Sequence, residues 1–279
     1  MLGGLKLGFA AAALAAALVF PAVAAEMNRS SLYRAQSVTN GTGEVNRALG
    51  LAPCLEEVLV KVSGDPRLIG DPRVAEMTPH AADYVTGFVY RDLLNGRPPN
   101  HEQGTYDRPQ YLTADFDRDK IDALLASLGR KPWPLTRPDV VAFFEIEPMR
   151  GDRFTLARAG GERLAVDMRL ALGAAAERTG LPLQLPQQDE VDTIRQEKPE
   201  PGALADVART LGGDPLLVGT IAWREEALGW IGDWQLGYKG KDYRWQVRGV
   251  SFDDAFRNAV RGTAQILSGN GQPEAVTTR

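Results

Sequence analysis

The chain has 279 residues with one cysteine and two histidines, and 32 Lys and Arg stand against 36 Asp and Glu, a formal net charge of −4. A mildly acidic chain without a concentrated basic run disfavours nucleic acid as a partner. A lone cysteine excludes an intramolecular disulfide, so stability has to come from burial in the one or two cores that this length can supply.

The chain opens with a short segment carrying Lys6, runs apolar from Leu7 to Phe20, and passes through Pro21 to Ala22-Val-Ala-Ala25 before the first acid, Glu26. A positive start, a brief apolar run and small residues at a cleavage-like position predict a secretory signal peptide over residues 1–25. The apolar run is shorter than the ~20 residues of a bilayer span, so no stable membrane span is expected after cleavage. Export without disulfides fits a bacterial periplasm.

Residues from Ser31 to Val38 predict a first strand, ended by the turn-forming run 39–43. Helical character resumes at Glu44, but Gly50 and Pro53 predict that the main helix starts near Leu51, with Pro53 in its first turn. Leu55, Val58, Leu59 and Val62 form one apolar stripe, and Gly64 followed by Asp65-Pro66 and Asp71-Pro72 stops it. A short helix over 73–78 and an extended segment over 84–94 follow, then a long irregular loop from Asn95 to Pro109. Leu112, Ala114 and Phe116 alternate as in a half-buried strand. Asp117 caps a helix whose stripe is Ile121, Leu124, Leu125 and Leu128.

These elements make residues 26–130 an N-terminal α+β module. Residues 131–138 hold three prolines and predict an extended, stiff linker. In the C-terminal module, 139–268, the run Val140–Ile146 is apolar on both parities, as in a buried central strand. Residues 154–157 pair with it, and a helix over 162–178, a strand over 181–185 and helices over 188–196 and 204–211 follow. Leu216–Trp223 is a strand. Leu228, Trp230, Trp234 and Leu236 share one parity and Tyr243, Trp245 and Val247 share another, which predicts a hairpin turned at Tyr238–Gly240. Ser251 and Asp254 form a capping pair for a last helix burying Phe252, Ala255, Phe256, Ala259, Thr263 and Leu267. Residues 269–279 read as a disordered tail. The fold class is α+β: two small mixed α/β modules, the second with a C-terminal antiparallel meander covered by a terminal helix.

No pattern compels a reaction. Cys54 opens a helix, but Glu56 and Glu57 oppose a thiolate, so it reads as a small buried side chain. His80, His101, Glu102 and Asp107 match no compact ligand spacing, and neither a metal nor a cofactor is expected. No Gly-x-Ser-x-Gly elbow and no phosphate-binding glycine motif occurs. Glu145, Glu147 and Asp167 are the carboxylates that glycoside chemistry could use, though alternating acids on a strand more often form its solvated face. The aromatic residues of the hairpin read as core rather than as a binding platform. What remains is the polar loop, with His101, Glu102, Gln103, Tyr106, Asp107 and Arg108 as a partner-binding segment.

Cys54-Leu-Glu-Glu-Val-Leu-Val-Lys-Val-Ser-Gly-Asp-Pro66, Glu102-Gln-Gly-Thr-Tyr-Asp-Arg-Pro109 and Leu128-Gly-Arg-Lys-Pro-Trp-Pro134 resemble an uncharacterised family of exported proteobacterial proteins, domain of unknown function family 2066. The resemblance implies no activity, substrate or cofactor. The expectation is a non-catalytic accessory or interaction protein of the cell envelope, partnered by another envelope protein. A hydrolase of an envelope polymer, using the carboxylates or the His101 loop, is the alternative. A metal-binding protein centred on His101 is the second.

Overall fold

A computed structural model describes residues 32–94, 108–197 and 211–274. Within them lie six α-helices, a three-stranded antiparallel sheet and a six-stranded mixed sheet, an α+β fold. Residues 1–25 lie outside the described residues, as does the helix expected over 204–211 apart from its last residue, Leu211.

The first sheet has the order β1-β3-β2, from β1 (Arg34–Asn40), β2 (Val85–Asp92) and β3 (Pro109–Phe116). Its strands alternate, and Ala35, Leu112, Ala114 and Phe116 turn toward the core. Helix α1 (Glu44–Ser63) covers that face with Leu51, Leu55, Val58, Leu59 and Val62. Helix α3 (Arg118–Ser127) adds Ile121, Leu124 and Leu125, and Asp117 caps it by accepting from the Lys120 amide. Between these helices run a 3₁₀ turn (Pro66–Leu68), the short helix α2 (Pro72–Met77) and a second 3₁₀ segment (Thr78–Tyr84).

Helix α1 starts at Glu44 rather than near Leu51, and it passes through both expected breakers. Gly50 is there for proximity: a Cβ on it would lie 2.4 Å from Thr39 Cγ2 and 2.8 Å from Leu112 Cδ2. Pro53 removes one backbone donor from the helix interior, yet the buried stripe continues on both sides of it and holds the helix to the sheet. Packing overrides the local signal.

The second sheet has the order β5-β4-β7-β8-β9, with β6 also on β4. Strand β4 (Val140–Glu147) runs parallel to β6 (Leu183–Gln184) and β7 (Leu216–Arg224) and antiparallel to β5 (Phe154–Thr155). It is buried on both faces, as its apolar composition requires. Phe144 packs edge-on against Trp234 and Phe256 on one face, while Phe143 meets Val191 and Ile194 of helix α5 (Gln188–Glu197) on the other. Strands β8 (Gly229–Tyr238) and β9 (Lys241–Val250) complete the antiparallel meander. Helix α6 (Phe252–Leu267) covers the meander's aromatic face, and helix α4 (Arg163–Thr179) packs beside it in the same core. Ser251 caps α6, accepting from the Asp254 amide. Leu228 departs from its expected place on the core parity of β8. The turn Glu225–Ala227 closes through a left-handed residue, and Leu228 takes that conformation with its side chain 89% exposed.

The two sheets meet around the C-terminus of α1. The last carbonyls of a helix have no partner within it, and here they are buried. The Gly64 amide donates to Val60 O, Arg137 Nη2 to Lys61 O at 2.6 Å, the Trp133 amide to Val62 O, Asn270 Nδ2 to Ser63 O and Ser268 Oγ to Gly64 O. Gly64 itself is left-handed, and a Cβ there would lie 2.6 Å from Ser268 Cβ. Arg137 Nη1 donates in addition to Thr179 O and Gly180 O at the end of α4. One guanidinium thus joins the C-termini of two helices while stacked 4.2 Å from the Trp133 ring. It is 7% exposed, and burial pushes its pKa down to about 10, so it stays charged at neutral pH. No carboxylate pairs with it among the described residues; the negative ends of two helix dipoles replace one.

Within the proline-rich segment 131–138, Trp133 and Arg137 are buried. Within 269–279, besides the Asn270 contact, Gln272 Nε2 donates to Arg244 O at 2.9 Å. Replacing Arg137 by Ala leaves three buried carbonyls without donors, and about 3 kcal/mol of unfolding free energy is expected to be lost. Urea unfolding with Arg137→Lys as comparator checks this, since an ammonium cannot reproduce the fork and should recover only part.

Candidate functional site

Of the expected partner-binding loop, His101, Glu102, Gln103, Tyr106 and Asp107 lie outside the described residues; only Arg108 lies within them. Arg108 sits at the base of the loop, where its guanidinium meets Asp92 at 2.7 Å across the β2–β3 hairpin. The Leu93 amide donates to Pro109 O and the Gly41 amide to Arg108 O, so the two ends of the loop are clasped against the end of the sheet.

The same hairpin carries a surface that parity alone did not single out. One face of the three-stranded sheet is covered by α1. Its other face is built from cross-strand rows: Arg34, Asp115 and Gly87; Gln36, Thr113 and Val89; and Val38, Tyr111 and Arg91. Outward rows of an antiparallel sheet are normally polar. Here Val38 is 57% and Val89 64% exposed. Arg91 stacks over Tyr111 at 4.9 Å, Gln36 Nε2 donates to Thr113 Oγ1, and Arg34 pairs with Asp115 at 2.6 Å. The face is thus partly apolar and framed by held charges, and the row with Val38, Tyr111 and Arg91 lies next to the loop base. The signal in the sequence was two valines on outward parity, legible only once the register is known.

The other candidates resolve as follows. Cys54 is buried, and burial pushes its thiol up to about 11, against any role as a nucleophile. His80 is exposed, 4.0 Å from Asp83. Among the described residues no group of three or more His, Cys, Asp and Glu is placed to hold a metal ion. Glu147 is held between Arg153 at 2.5 Å and Arg224 at 2.6 Å, and Asp167 pairs with Arg163 one helical turn away. Trp230, Trp234 and Trp245 are buried, which places the hairpin aromatics in the core as expected.

Two of the segments that carried the resemblance meet in space. Asp65, fully buried at the end of α1, accepts from the Arg67 amide and guanidinium and from Arg130 Nε at 2.5 Å. Burial alone would raise its pKa; the hydrogen bonds from Arg67 and Arg130 outweigh it, and the carboxyl lies below its ordinary value. This cluster is structural, since it ties the Asp-Pro turn to the segment after α3.

Residues 25–134 match the family profile of a domain of unknown function, DUF8605. The match takes in the three-stranded sheet with α1 to α3 and the clasped hairpin, and it contains all three segments named above. It agrees with membership of an uncharacterised family for this part of the chain. No curated protein and no solved structure matches the chain. Among the described residues no helix is long and apolar enough to cross a membrane.

A carboxyl with a depressed folded-state pKa contributes stability that is present above its unfolded value and is lost as pH falls through the folded one. Asp65→Asn should therefore lower the urea midpoint at pH 7 and flatten its decline below about pH 4. An acid limb that stays as steep in the variant would remove Asp65 from the account.

Proposed function

We propose that this chain is an exported, non-catalytic accessory protein of the bacterial cell envelope that docks another envelope protein on the open face of its three-stranded sheet. The observation that carries the reading is that face: Val38 and Val89 stand more than half exposed beside Tyr111 on a sheet whose other side is covered by α1. Exposed apolar side chains gathered on one surface and rimmed by charge favour a protein partner. Arg91 and the Arg34–Asp115 pair frame the patch, so the complementary surface is apolar with a carboxylate facing Arg91. The clasped base of the loop that holds His101 and Glu102 adjoins it.

Periplasmic location is supported by the leader-like composition of residues 1–25. Its second support is the resemblance of the segments at 54–66, 102–109 and 128–134 to the exported proteobacterial family 2066. The acidic balance of the chain favours a protein over nucleic acid as partner.

The test places a photo-crosslinking amino acid at position 89 in intact cells, with Glu225 as an exposed control position. The expected result is one envelope protein crosslinked from position 89 and absent from 225. The adduct should also be lost in a Val38→Asp variant that keeps the wild-type circular dichroism. Adducts equal at both positions, or turnover of cell-wall fragments by the pure protein, would contradict the reading.

A further inference from the structure

The six-stranded sheet carries a cavity that the proposed docking face does not use. It has a volume of about 360 Å³ and lies between the β4–β5 turn, the loop that leads into α4, and one side of α5. That volume falls in the range of small-molecule pockets, ~300–1,000 Å³. Four guanidinium side chains line it, those of Arg150, Arg153, Arg169 and Arg195, against two carboxylates, Asp152 and Glu162. In a chain whose net charge is −4, this concentrates positive charge in one concave place.

Three of the four guanidiniums make no ion pair among the described residues, although Asp152 and Glu162 share the wall. Arg153 pairs with Glu147. Arg169 donates to Gly160 O at 2.7 Å and Arg195 to Thr155 Oγ1 at 3.1 Å, contacts that orient a guanidinium without cancelling its charge. Among the described residues, no carboxylate pairs with Arg150, Arg169 or Arg195. Phe154, Leu164 and Val191 supply an apolar portion of the wall, beside the polar side chains of Thr155 and Gln188. Gly160, left-handed in the loop, leaves open space where a side chain would stand.

We infer that this cavity binds a small organic anion, whose phosphoryl or carboxylate group meets the guanidiniums while an apolar portion lies against Phe154 and Leu164. Planar guanidinium forks suit both acid groups, and the apolar wall selects for a ligand that is more than a bare ion. The inference is independent of the docking face, which lies on the other sheet.

The probe is phenyl phosphate, titrated calorimetrically into the full chain at constant ionic strength, with inorganic phosphate as comparator. Saturable one-to-one binding is expected, at least tenfold tighter for phenyl phosphate. It should weaken at least tenfold in Arg150→Ala/Arg195→Ala with the melting temperature unchanged. If that double variant loses its fold, Arg150→Glu, on an exposed side chain, serves for the same comparison. Absence of saturable binding by either probe, or unchanged affinity in the variant, would overturn the site. Equal affinity for the two probes would overturn its apolar half.

Discussion

A buried helix end has to find donors for its last carbonyls, and that requirement organises this molecule. Helix α1 ends between the two sheets, where water cannot serve. Its carbonyls from Lys61 to Gly64 are met instead by Arg137, Trp133, Asn270 and Ser268. Those donors come from the segment between the sheets and from the end of the chain, so closing one helix recruits residues about 70 and 200 positions away. Arg137 reaches further than the others because it also closes α4. A buried cation without a carboxylate is costly, and it is tolerated here because three carbonyls, two helix dipoles and the Trp133 ring stand in for a counter-ion.

The consequence is a seam in which residues from both halves of the chain share one set of hydrogen bonds. Lys61 extends it, donating to Arg34 O at 2.7 Å and lying 3.5 Å from Glu57, which Arg178 of α4 also approaches. Burial lowers the Lys61 pKa, yet its carbonyl and carboxylate partners keep the ammonium satisfied. The two candidate surfaces lie away from this seam. The open sheet face and the arginine-lined cavity each belong to one sheet, and neither depends on the seam for a side chain of its own.

Much of the architecture was legible in the sequence because burial imposes period. Leu55, Val58, Leu59 and Val62 marked the core face of α1, the two-sided apolar run 140–146 marked the central strand, and the aromatic residues of the final hairpin marked the floor beneath α6. The misreadings have physical causes. Gly50 and Pro53 signal a break locally, but close packing against Thr39 and Leu112 overrides them. Leu228 shares the core parity of its strand, but a turn claims its backbone for a left-handed conformation. Arg137, hidden in a proline-rich run, gave no sign of its role, since three carbonyl partners from distant helix ends leave no local pattern. The open sheet face was unreadable for a similar reason: outward valines mean something only when the register sets Val38 beside Tyr111 and Arg91.

Native-state hydrogen exchange would test the seam most directly, by comparing amides in β3 with those in β4 and β8. If the C-terminus of α1 holds the sheets as one unit, the slowest amides of both sheets exchange with the same free energy and the same denaturant dependence. In Arg137→Ala the two values should separate. Two sheets that already open independently in the wild-type chain would contradict the account.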